Sequence, residues 1–385
     1  MMTKLIPLTL CTAIMFASCA KTSTPVPEKQ PEPKTPARAR KMSGPFPILQ
    51  NGKAGYIDAA GTVVIPPQFQ EAHNFSEGLA LVKLAGKMGF IDTSGVFVIS
   101  AQYDDGRGSS EGLAFVKKGS QRGFVDKIGS MVVRAERDLI AVYDFSEARA
   151  RFRTSVGMMG LGGKWGFIDK SGQKVIPANF DRAYDFSEGL APVETGGKWG
   201  YVDKDGKQII EPGFGWAWPF SEGLACVMLD KKLGYIDKTG QLVVKNEFDL
   251  GNYWVDALML ETGGAAVFTD KSRKVFVQPQ IGFASNMFSE GLAPVQVGEK
   301  WGFIDRTGRT VIGPQFELVS NFSEGLAAVK LNGKWGYVDK TGSMVIQPSF
   351  DDFASAFIEG VASIQVGANW GWIDKTGNHV WKPAH

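Results

Sequence analysis

Few stretches of this sequence combine residue types in the patterns that catalysis needs. Residues 108–112, Gly-Ser-Ser-Glu-Gly, match the Gly-x-Ser-x-Gly elbow in which hydrolases present a serine nucleophile. Such an enzyme also needs a general base, and the three histidines, His73, His379 and His385, lie in no motif suited to that role. The same residues align with a segment that recurs elsewhere in the chain. We therefore expect a structural role for this segment and no catalytic activity.

A second stretch has the composition of a phosphate-binding loop. Residues 160–164 read Gly-Leu-Gly-Gly-Lys, but the glycine spacing differs from that motif and Trp165 stands where Ser or Thr is needed. The stretch lengthens one interval between recurring segments to 43 residues. We interpret it as an extended loop.

Recurring carboxylates raise the question of calcium. The aspartates are mostly 33 to 35 residues apart, whereas a calcium site needs several converging oxygens at close spacing. Each aspartate stands beside a turn segment, which favours turn capping and no metal. For the glutamates, a local turn role and a row that faces a ligand both remain open. The aspartates are Asp58, Asp92, Asp126, Asp169, Asp203, Asp237, Asp270, Asp305, Asp339 and Asp374, and the glutamates are Glu77, Glu111, Glu188, Glu222, Glu290, Glu324 and Glu359.

Tryptophans occur in two settings. Five share one recurring position, where a core role is the usual one. Trp216 and Trp218 instead lie in a connection where other copies place small or polar residues. If aromatic side chains form an exposed ligand-contact patch, we predict that it consists of these two. The five recurring tryptophans are Trp165, Trp199, Trp301, Trp335 and Trp370.

All these residues belong to a module that recurs ten times from Ala54 to the C-terminus, typified by residues 334–342, Lys-Trp-Gly-Tyr-Val-Asp-Lys-Thr-Gly. A fixed period identifies a tandem repeat. In residues 326–331, Ala327, Val329 and Leu331 face one way and Lys330 the other, which predicts a half-buried strand, and Asn332-Gly333 predicts a hairpin turn. The signature strand has an aromatic and then a β-branched residue in every copy.

A third strand follows the signature strand, as in residues 344–348, and Pro177, Pro314 and Pro348 end such strands as expected at a sheet edge. Each unit is therefore predicted to be a three-stranded antiparallel meander of about 34 residues. We attribute the glycine in the signature strand to close packing between neighbouring units. One meander is too small to fold alone, so the units must stack.

The fold class that follows is all-β, with ten stacked meanders over residues 45–385. The array begins and ends on whole units, whereas a ring sealed by a mixed sheet would split one unit between the termini. Ten blades would also exceed the usual four to eight of propellers. We predict an open superhelical array, with a closed propeller-like ring as the alternative.

The N-terminus predicts export. Lys4 precedes an apolar stretch at residues 5–16, and residues 16–19, Phe-Ala-Ser-Cys, resemble the lipobox of bacterial lipoproteins. This resemblance implies a signal peptide at residues 1–18 and lipid on Cys19. Residues 19–44 are Pro-rich, without apolar periodicity, and predict a disordered tether. Ala20 carries no acidic retention signal, so we expect anchoring in the outer membrane, on its periplasmic or surface face.

The Lys-Trp-Gly-Phe/Tyr-Ile/Val-Asp-Lys-x-Gly signature resembles the WG repeat of bacterial proteins over about 90% of the chain. The resemblance implies a periplasmic or surface β-repeat protein and no settled activity. A net charge of +2 gives no electrostatic case for nucleic acid or for membrane contact beyond the lipid anchor. We predict a non-catalytic envelope lipoprotein, without cofactor, that binds a protein partner or acts as a scaffold. Binding of glycan or peptidoglycan through exposed aromatics is the alternative.

Overall fold

The computed structural model describes residues 44–136, 139–154, 163–248, 287–367 and 369–382. Over these ranges the regular secondary structure is entirely β, with 34 strands in nine antiparallel sheets. The all-β class predicted from the repeats is confirmed. In the same ranges no helix is long and apolar enough to span a membrane.

The nine sheets follow one another along the chain, and we number them in that order. Sheet 1 contains β1 (Phe46–Gln50), β2 (Lys53–Ile57) and β3 (Val63–Phe69); sheet 2 contains β4 (Glu71–Ala72), β5 (Ala80–Leu84), β6 (Lys87–Ile91) and β7 (Phe97–Tyr103); sheet 3 contains β8 (Asp105–Gly106), β9 (Ala114–Lys118), β10 (Gln121–Val125) and β11 (Met131–Arg134). Sheet 4 contains β12 (Leu139–Val142), β13 (Ala150–Thr154), β14 (Trp165–Ile168) and β15 (Lys174–Phe180); sheet 5 contains β16 (Arg182–Ala183), β17 (Ala191–Thr195), β18 (Lys198–Val202) and β19 (Gln208–Phe214); sheet 6 contains β20 (Trp216–Ala217), β21 (Ala225–Leu229), β22 (Lys232–Ile236) and β23 (Leu242–Phe248). Sheet 7 contains β24 (Leu292–Val297), β25 (Lys300–Asp305) and β26 (Thr310–Phe316); sheet 8 contains β27 (Leu318–Val319), β28 (Leu326–Leu331), β29 (Lys334–Asp339) and β30 (Met344–Phe350); sheet 9 contains β31 (Phe353–Ala354), β32 (Val361–Val366), β33 (Asn369–Asp374) and β34 (His379–Trp381).

Sheet 8 shows how one repeat forms a sheet. Strands β28 and β29 pair from Leu326↔Asp339 to Leu331↔Lys334 across the Asn332-Gly333 turn. Both turn residues have positive φ, 52° and 78°, which suits a two-residue hairpin. Strand β30 then pairs with β29, so the signature strand is central. The predicted meander is confirmed, and a short fourth strand, β27, precedes it and pairs with β28.

The glycine of the signature strand has a different role from the one predicted. A Cβ on Gly336 would lie 2.5 Å from the carbonyl oxygen of Ile346 and 2.8 Å from the nitrogen of Pro348, both in the third strand of the same sheet. The register between these strands is irregular at this point. Because glycine has no Cβ, the irregular third strand of the same sheet can pass close to the signature strand at this position. The attribution to packing between neighbouring units was wrong.

Neighbouring sheets pack face to face, and one apolar cluster fills each joint. Nine such clusters are present in the described residues, each built by two successive sheets or by sheets 9 and 1. The last joins Phe46 and Ile48 of sheet 1 to Val361 and Trp372 of sheet 9. Trp372 Nε1 also donates a hydrogen bond to the carbonyl oxygen of Pro47, at 3.1 Å. The nine sheets therefore form a closed ring, a nine-bladed propeller.

The closed ring confirms the alternative and shows that the favoured open array was wrong. We expected closure to require a sheet with strands from both termini. Instead, the described strands of sheets 1 and 9 belong to separate sheets, and closure comes from packing between them. No repeat has to be split, so the whole units at each end are compatible with a ring.

Sheets 6 and 7 are direct neighbours although 38 residues of the chain, 249–286, lie between the described parts of them. The Ser221 hydroxyl donates to the carbonyl oxygen of Phe288 at 2.7 Å, and both sheets contribute to one apolar cluster. The atypical signature copy that contains Asp270 lies outside the described residues. The described residues thus form nine sheets, whereas the sequence has ten signature copies.

Candidate functional site

The nine recurring aspartates that the structure describes take the turn-capping role. Asp305 Oδ1 accepts hydrogen bonds from the Thr307 hydroxyl at 2.6 Å and from the backbone N–H groups of Thr307 and Arg309 at 3.0 and 3.1 Å. The Thr307 hydroxyl, together with the Arg309 side chain and these N–H groups, lowers the pKa of Asp305 to about 2. Its carboxylate is therefore fully engaged within its own turn.

The serines of the recurring Phe-Ser-Glu-Gly segment join neighbouring sheets. In the hydrolase-like segment, the Ser110 hydroxyl donates to the carbonyl oxygen of Phe145 in the next sheet at 2.8 Å. The Ser109 hydroxyl donates to Glu77 Oε2 of the preceding sheet at 2.7 Å. Both hydroxyls have the structural role that we expected for this segment. The equivalent serine bonds start from Ser76, Ser146, Ser187, Ser221, Ser289 and Ser323.

The glutamates of the same segment also link sheets, and this role was not among those considered. Glu222 Oε2 of sheet 6 accepts a hydrogen bond from the Gly291 N–H of sheet 7 at 2.9 Å. The same oxygen accepts one from Arg306 Nη2 of sheet 7 at 2.7 Å. Six further joints between sheets 2 and 9 carry the same link, formed by Glu77, Glu111, Glu147, Glu188, Glu290 and Glu324.

Among the described residues, no such link reaches sheet 1. Glu359 of sheet 9 stands at the linking position, but its carboxylate makes no hydrogen bond or ion pair with described residues. Sheet 1 has Ala59 where sheet 9 has Lys375, the residue that pairs with Glu324. The joint that closes the ring therefore depends on apolar packing and on the bond from Trp372 to Pro47.

The glutamate links affect protonation. Burial alone would raise the pKa of Glu324, but the Lys375 ammonium and the Gly360 N–H outweigh it and hold the pKa below its ordinary value. The pKa of Glu77 is also lowered, because bonds from Ser109 and Gly112 and the charge of Lys127 outweigh its burial. Both carboxylates are thus stabilised in the charged form by the neighbouring sheet.

Four of the five recurring tryptophans are buried, and Trp370 is half-buried. Trp218 is also buried, with 5% of its surface exposed, within the cluster between sheets 6 and 7. The prediction that it belongs to an exposed patch is therefore wrong. Trp216 is half-buried and packs against the same cluster and the preceding one. The prediction rested on the variable connection in which Trp218 lies, and that connection packs into the cluster between the two sheets.

Trp216 belongs to a larger group that we call the arginine–aromatic cluster: Tyr143, Arg151, Arg182, Tyr184, Trp199 and Trp216, from sheets 4 to 6. Three of its rings form a continuous series. The Trp199 centroid lies 5.3 Å from that of Tyr184 and 5.1 Å from that of Trp216, so the aromatic contacts cross from sheet 5 to sheet 6. Tyr143, Tyr184 and Trp216 are half-buried, so three rings of the cluster reach the surface.

Arg151 joins sheet 4 to sheet 5 within this cluster. Its Cζ lies 3.9 Å from the ring centroid of Tyr143 and 5.8 Å from that of Tyr184. Its Nε and Nη1 donate to Asp185 Oδ1 and to the Ala183 carbonyl oxygen at 2.8 and 2.9 Å. The guanidinium is thus fixed between two tyrosine rings, in the geometry of a cation–π contact. Arg182 lies exposed at the rim, with Cζ 5.6 Å from the Trp216 centroid.

The side chains of this cluster can contact a ligand through aromatic faces and through charged hydrogen-bond donors. Half-exposed rings offer flat apolar faces, and an exposed guanidinium offers charged hydrogen-bond donors. Within the described ranges no group of three or more His, Cys, Asp or Glu side chains is placed to hold a metal ion. Cys226 lies buried under Tyr235, and burial raises the pKa of its thiol.

Sequence reasoning missed Tyr143, Arg151 and Tyr184. For the two tyrosines the available signal was their position, because equivalent sites in other sheets carry residues as different as His73, Ser320 and Ser355. The phosphate-loop-like stretch lies partly outside the described residues. Its Lys164 pairs with Asp181 of sheet 5 at 2.5 Å.

Comparison with known proteins agrees with the repeat and the fold. A crystal structure of a eukaryotic initiation factor matches with a TM-score of 0.53 and 14% identity, covering 88% of this chain and 95% of that one. Kluyveromyces lactis Hsv2 matches with a TM-score of 0.38 and 10% identity over 69% of this chain and 90% of its own. PorZ of Porphyromonas gingivalis matches with a TM-score of 0.28 and 12% identity, over 88% and 51%. At these identities the first likeness shows the fold alone.

None of the curated proteins matches this sequence. The WG containing repeat, by contrast, matches seven times, at residues 55–87, 88–121, 165–199, 199–232, 268–301, 301–335 and 335–370. These matches cover more than half of the chain. The protein therefore belongs to the family of the WG containing repeat.

Proposed function

We propose that this protein is a non-catalytic binding protein whose arginine–aromatic cluster contacts a protein partner. A β-repeat fold is compatible with a binding or scaffold role. The observation that carries the proposal is the contrast between repeated and varied positions. The repeated Asp, Ser and Glu side chains bond within turns or between sheets, whereas the varied positions of sheets 4 to 6 gather tyrosine, tryptophan and arginine.

The composition of the cluster supports a protein as its ligand. Tyrosine, tryptophan and arginine are the residues that dominate binding energy at protein interfaces. Arg151 is already fixed by Asp185 and Ala183, so little side-chain freedom is lost when a partner binds beside it. Arg182 and the half-buried ring of Trp216 lie next to each other at the surface, where they can be contacted together.

The test is affinity capture from the native cell envelope with substituted proteins. Arg182 and Trp216 begin the short strands of sheets 5 and 6, and sheet 8 has Leu318 at the same position. Arg182→Leu and Trp216→Leu therefore introduce a residue that this position already accepts. We expect capture of a discrete protein to fall at least about tenfold with each variant, as for central interface residues.

Glu71 supplies the matched control, because it begins the short strand of sheet 2 and pairs with Lys83 at 2.7 Å, far along the ring from the cluster. Glu71→Leu should capture the partner as the unsubstituted protein does. Equal loss with all three variants, or undiminished capture with Arg182→Leu and Trp216→Leu, would refute the assignment of the cluster.

Glycan binding is the alternative that the half-exposed rings of Tyr184 and Trp216 support, since aromatic faces stack on sugars. The burial of Trp218 removes one of the two rings on which that idea was based. Retention of isolated peptidoglycan that is lost with Trp216→Leu, without a captured protein, would favour this alternative.

We also propose that lipid on Cys19 anchors the protein in the outer membrane. The support is the N-terminal sequence alone: Lys4, the apolar stretch, and Phe-Ala-Ser-Cys at residues 16–19. Incorporation of labelled palmitate tests it. Label that persists in Cys19→Ala would contradict the anchor without affecting the binding proposal.

A further inference from the structure

The third strand of each sheet lies at an edge, where unpaired backbone groups can pair with another strand. Sheet edges are normally protected by proline or by charged side chains. Seven third strands run for seven residues in the described ranges, and six carry such protection. The protecting residues are Pro66 and Pro67 in β3, Pro177 in β15, Pro212 in β19, Lys245 and Glu247 in β23, Pro314 in β26, and Pro348 in β30.

Strand β7 has the same irregular register against its neighbouring strand as the other six, but it is the exception in sequence. Its sequence, Phe-Val-Ile-Ser-Ala-Gln-Tyr, contains neither proline nor a charged residue. It is an edge strand in the order β4-β5-β6-β7. Val98 on this strand is exposed, and Val96 just before it has 61% of its surface exposed. Exposed valines also occur on the uncharged strands β3 and β30, at Val63 and Val345, but both of those strands contain proline.

A second departure from the repeat lies beside β7. The turn of sheet 3 packs against it, since a Cβ on Gly129 would lie 3.3 Å from the Ile99 side chain. In six described sheets the turn residue two after the aspartate is Ser or Thr, whose hydroxyl bonds to the aspartate, as with Ser94 and Asp92 at 2.6 Å. Sheet 3 has Ile128 instead, with 76% of its surface exposed. The turn of sheet 3 thus lacks the hydrogen bond from a hydroxyl to the aspartate and exposes an apolar side chain near β7.

We infer that β7 pairs antiparallel with β7 of a second copy of this chain. When a strand pairs antiparallel with an identical strand of a second chain, centred on one residue, positions equally far before and after that residue lie opposite each other. Centred on Ser100, it sets Val98 opposite Gln102 and Ile99 opposite Ala101, and no charges meet because the strand has none. In β23, the same symmetry about Lys245 would set this lysine opposite itself.

The contact joins one sheet of each copy, with Val96, Val98 and Ile128 beside it. A contact limited to one strand per copy and its flanking side chains falls below the ~1,200 Å² of a standard interface, so we expect weak association. The dimer would form at micromolar concentrations, and it leaves the arginine–aromatic cluster of sheets 4 to 6 available.

Sedimentation velocity from about 1 to about 200 µM tests the inference, the range in which such small interfaces associate. The full chain carries Cys19→Ser in every sample, so that acyl chains cannot cause association. We expect the average mass to rise from one chain toward two with concentration. Ala101→Pro should remain at one chain, because it gives β7 the proline that protects this position in sister strands.

Proline is compatible with the fold at that position, since Pro67, Pro212, Pro314 and Pro348 occupy it in sister sheets. Asn246→Pro makes the same change in sheet 6 and should dimerise as the unsubstituted chain does. Val98→Lys places a charge on an exposed site of β7 and should raise the dissociation constant at least about tenfold, or 1.4 kcal/mol. One-chain mass for the unsubstituted protein at all concentrations, or equal behaviour of Ala101→Pro and Asn246→Pro, would overturn the inference.

Discussion

Removal of one glutamate link should weaken the ring by a predictable amount. In Glu222→Ala, the Gly291 N–H loses its charged acceptor at 2.9 Å and Arg306 loses its partner at 2.7 Å. A hydrogen bond to a charged group contributes about 1.5 to 3 kcal/mol. The ion pair adds about 0.5 to 1 kcal/mol after screening, because the Arg306 side chain is 41% exposed. We expect a loss of about 2 to 4 kcal/mol in the free energy of unfolding.

Glu359→Ala is the matched control. Glu359 occupies the same turn position, with φ of 50° against 54° for Glu222, but its carboxylate makes no bond with described residues. This control should change stability by less than about 0.5 kcal/mol. Urea unfolding followed by tryptophan fluorescence measures both variants. Equal midpoints for the two variants would refute the idea that these glutamates hold neighbouring sheets together.

Three further predictions follow from single contacts. Gly302→Ala should destabilise the protein by at least about 3 kcal/mol, because its Cβ would overlap the Ile312 carbonyl oxygen. Gly313→Ala should be tolerated, because there is open space around this residue. Equal melting temperatures for the two variants would contradict this prediction. The pKa of Glu324 is lowered, so its link stabilises the fold at pH values above the ordinary carboxyl pKa of 4.5, and this contribution is lost as pH falls through the lowered pKa. Glu324→Gln should therefore lose less stability on acidification than the unsubstituted protein. Parallel losses of stability in the two proteins would argue against this link. Trp372→Phe should reduce stability by about 1 kcal/mol through loss of the hydrogen bond to Pro47. Trp335→Phe is the control, because its Nε1 bonds to no described residue and no hydrogen-bond energy is lost. Equal losses in thermal stability for the two variants would count against the closing contact.

The repeat unit could be predicted because its signals are local. Alternation in residues 326–331, the Asn332-Gly333 turn and proline at the third strand define a meander, and each signal acts within a few residues. The short fourth strand could not be predicted, since two residues such as Leu318 and Val319 have no period to read.

Closure of the ring depends on contacts between opposite ends of the chain. Phe46 and Trp372 lie with ring centroids 5.0 Å apart although more than 300 residues separate them. No local sequence pattern predicts such a contact. The glutamate links are similar, because their acceptor and donor belong to successive repeats and each looks like a turn residue within its own copy. Their signal was the joint recurrence of Glu324 with Lys375 and of Glu290 with Lys340 at matching spacing.

The arginine–aromatic cluster escaped prediction for a different reason. Arg151, Tyr184 and Trp216 come from three sheets and meet only when the sheets are placed side by side. Their varied positions could be recognised in the sequence, but their proximity could not. The same argument explains why Trp218, judged by its variable surroundings, proved to be core.

The most direct test of the account is cryo-electron microscopy of the full chain, because closure of the ring depends on the single joint between sheets 9 and 1. Class averages should show a closed ring of nine sheets with sheet 1 in contact with sheet 9. An open arc, with a gap between Phe46 and Trp372, would contradict it.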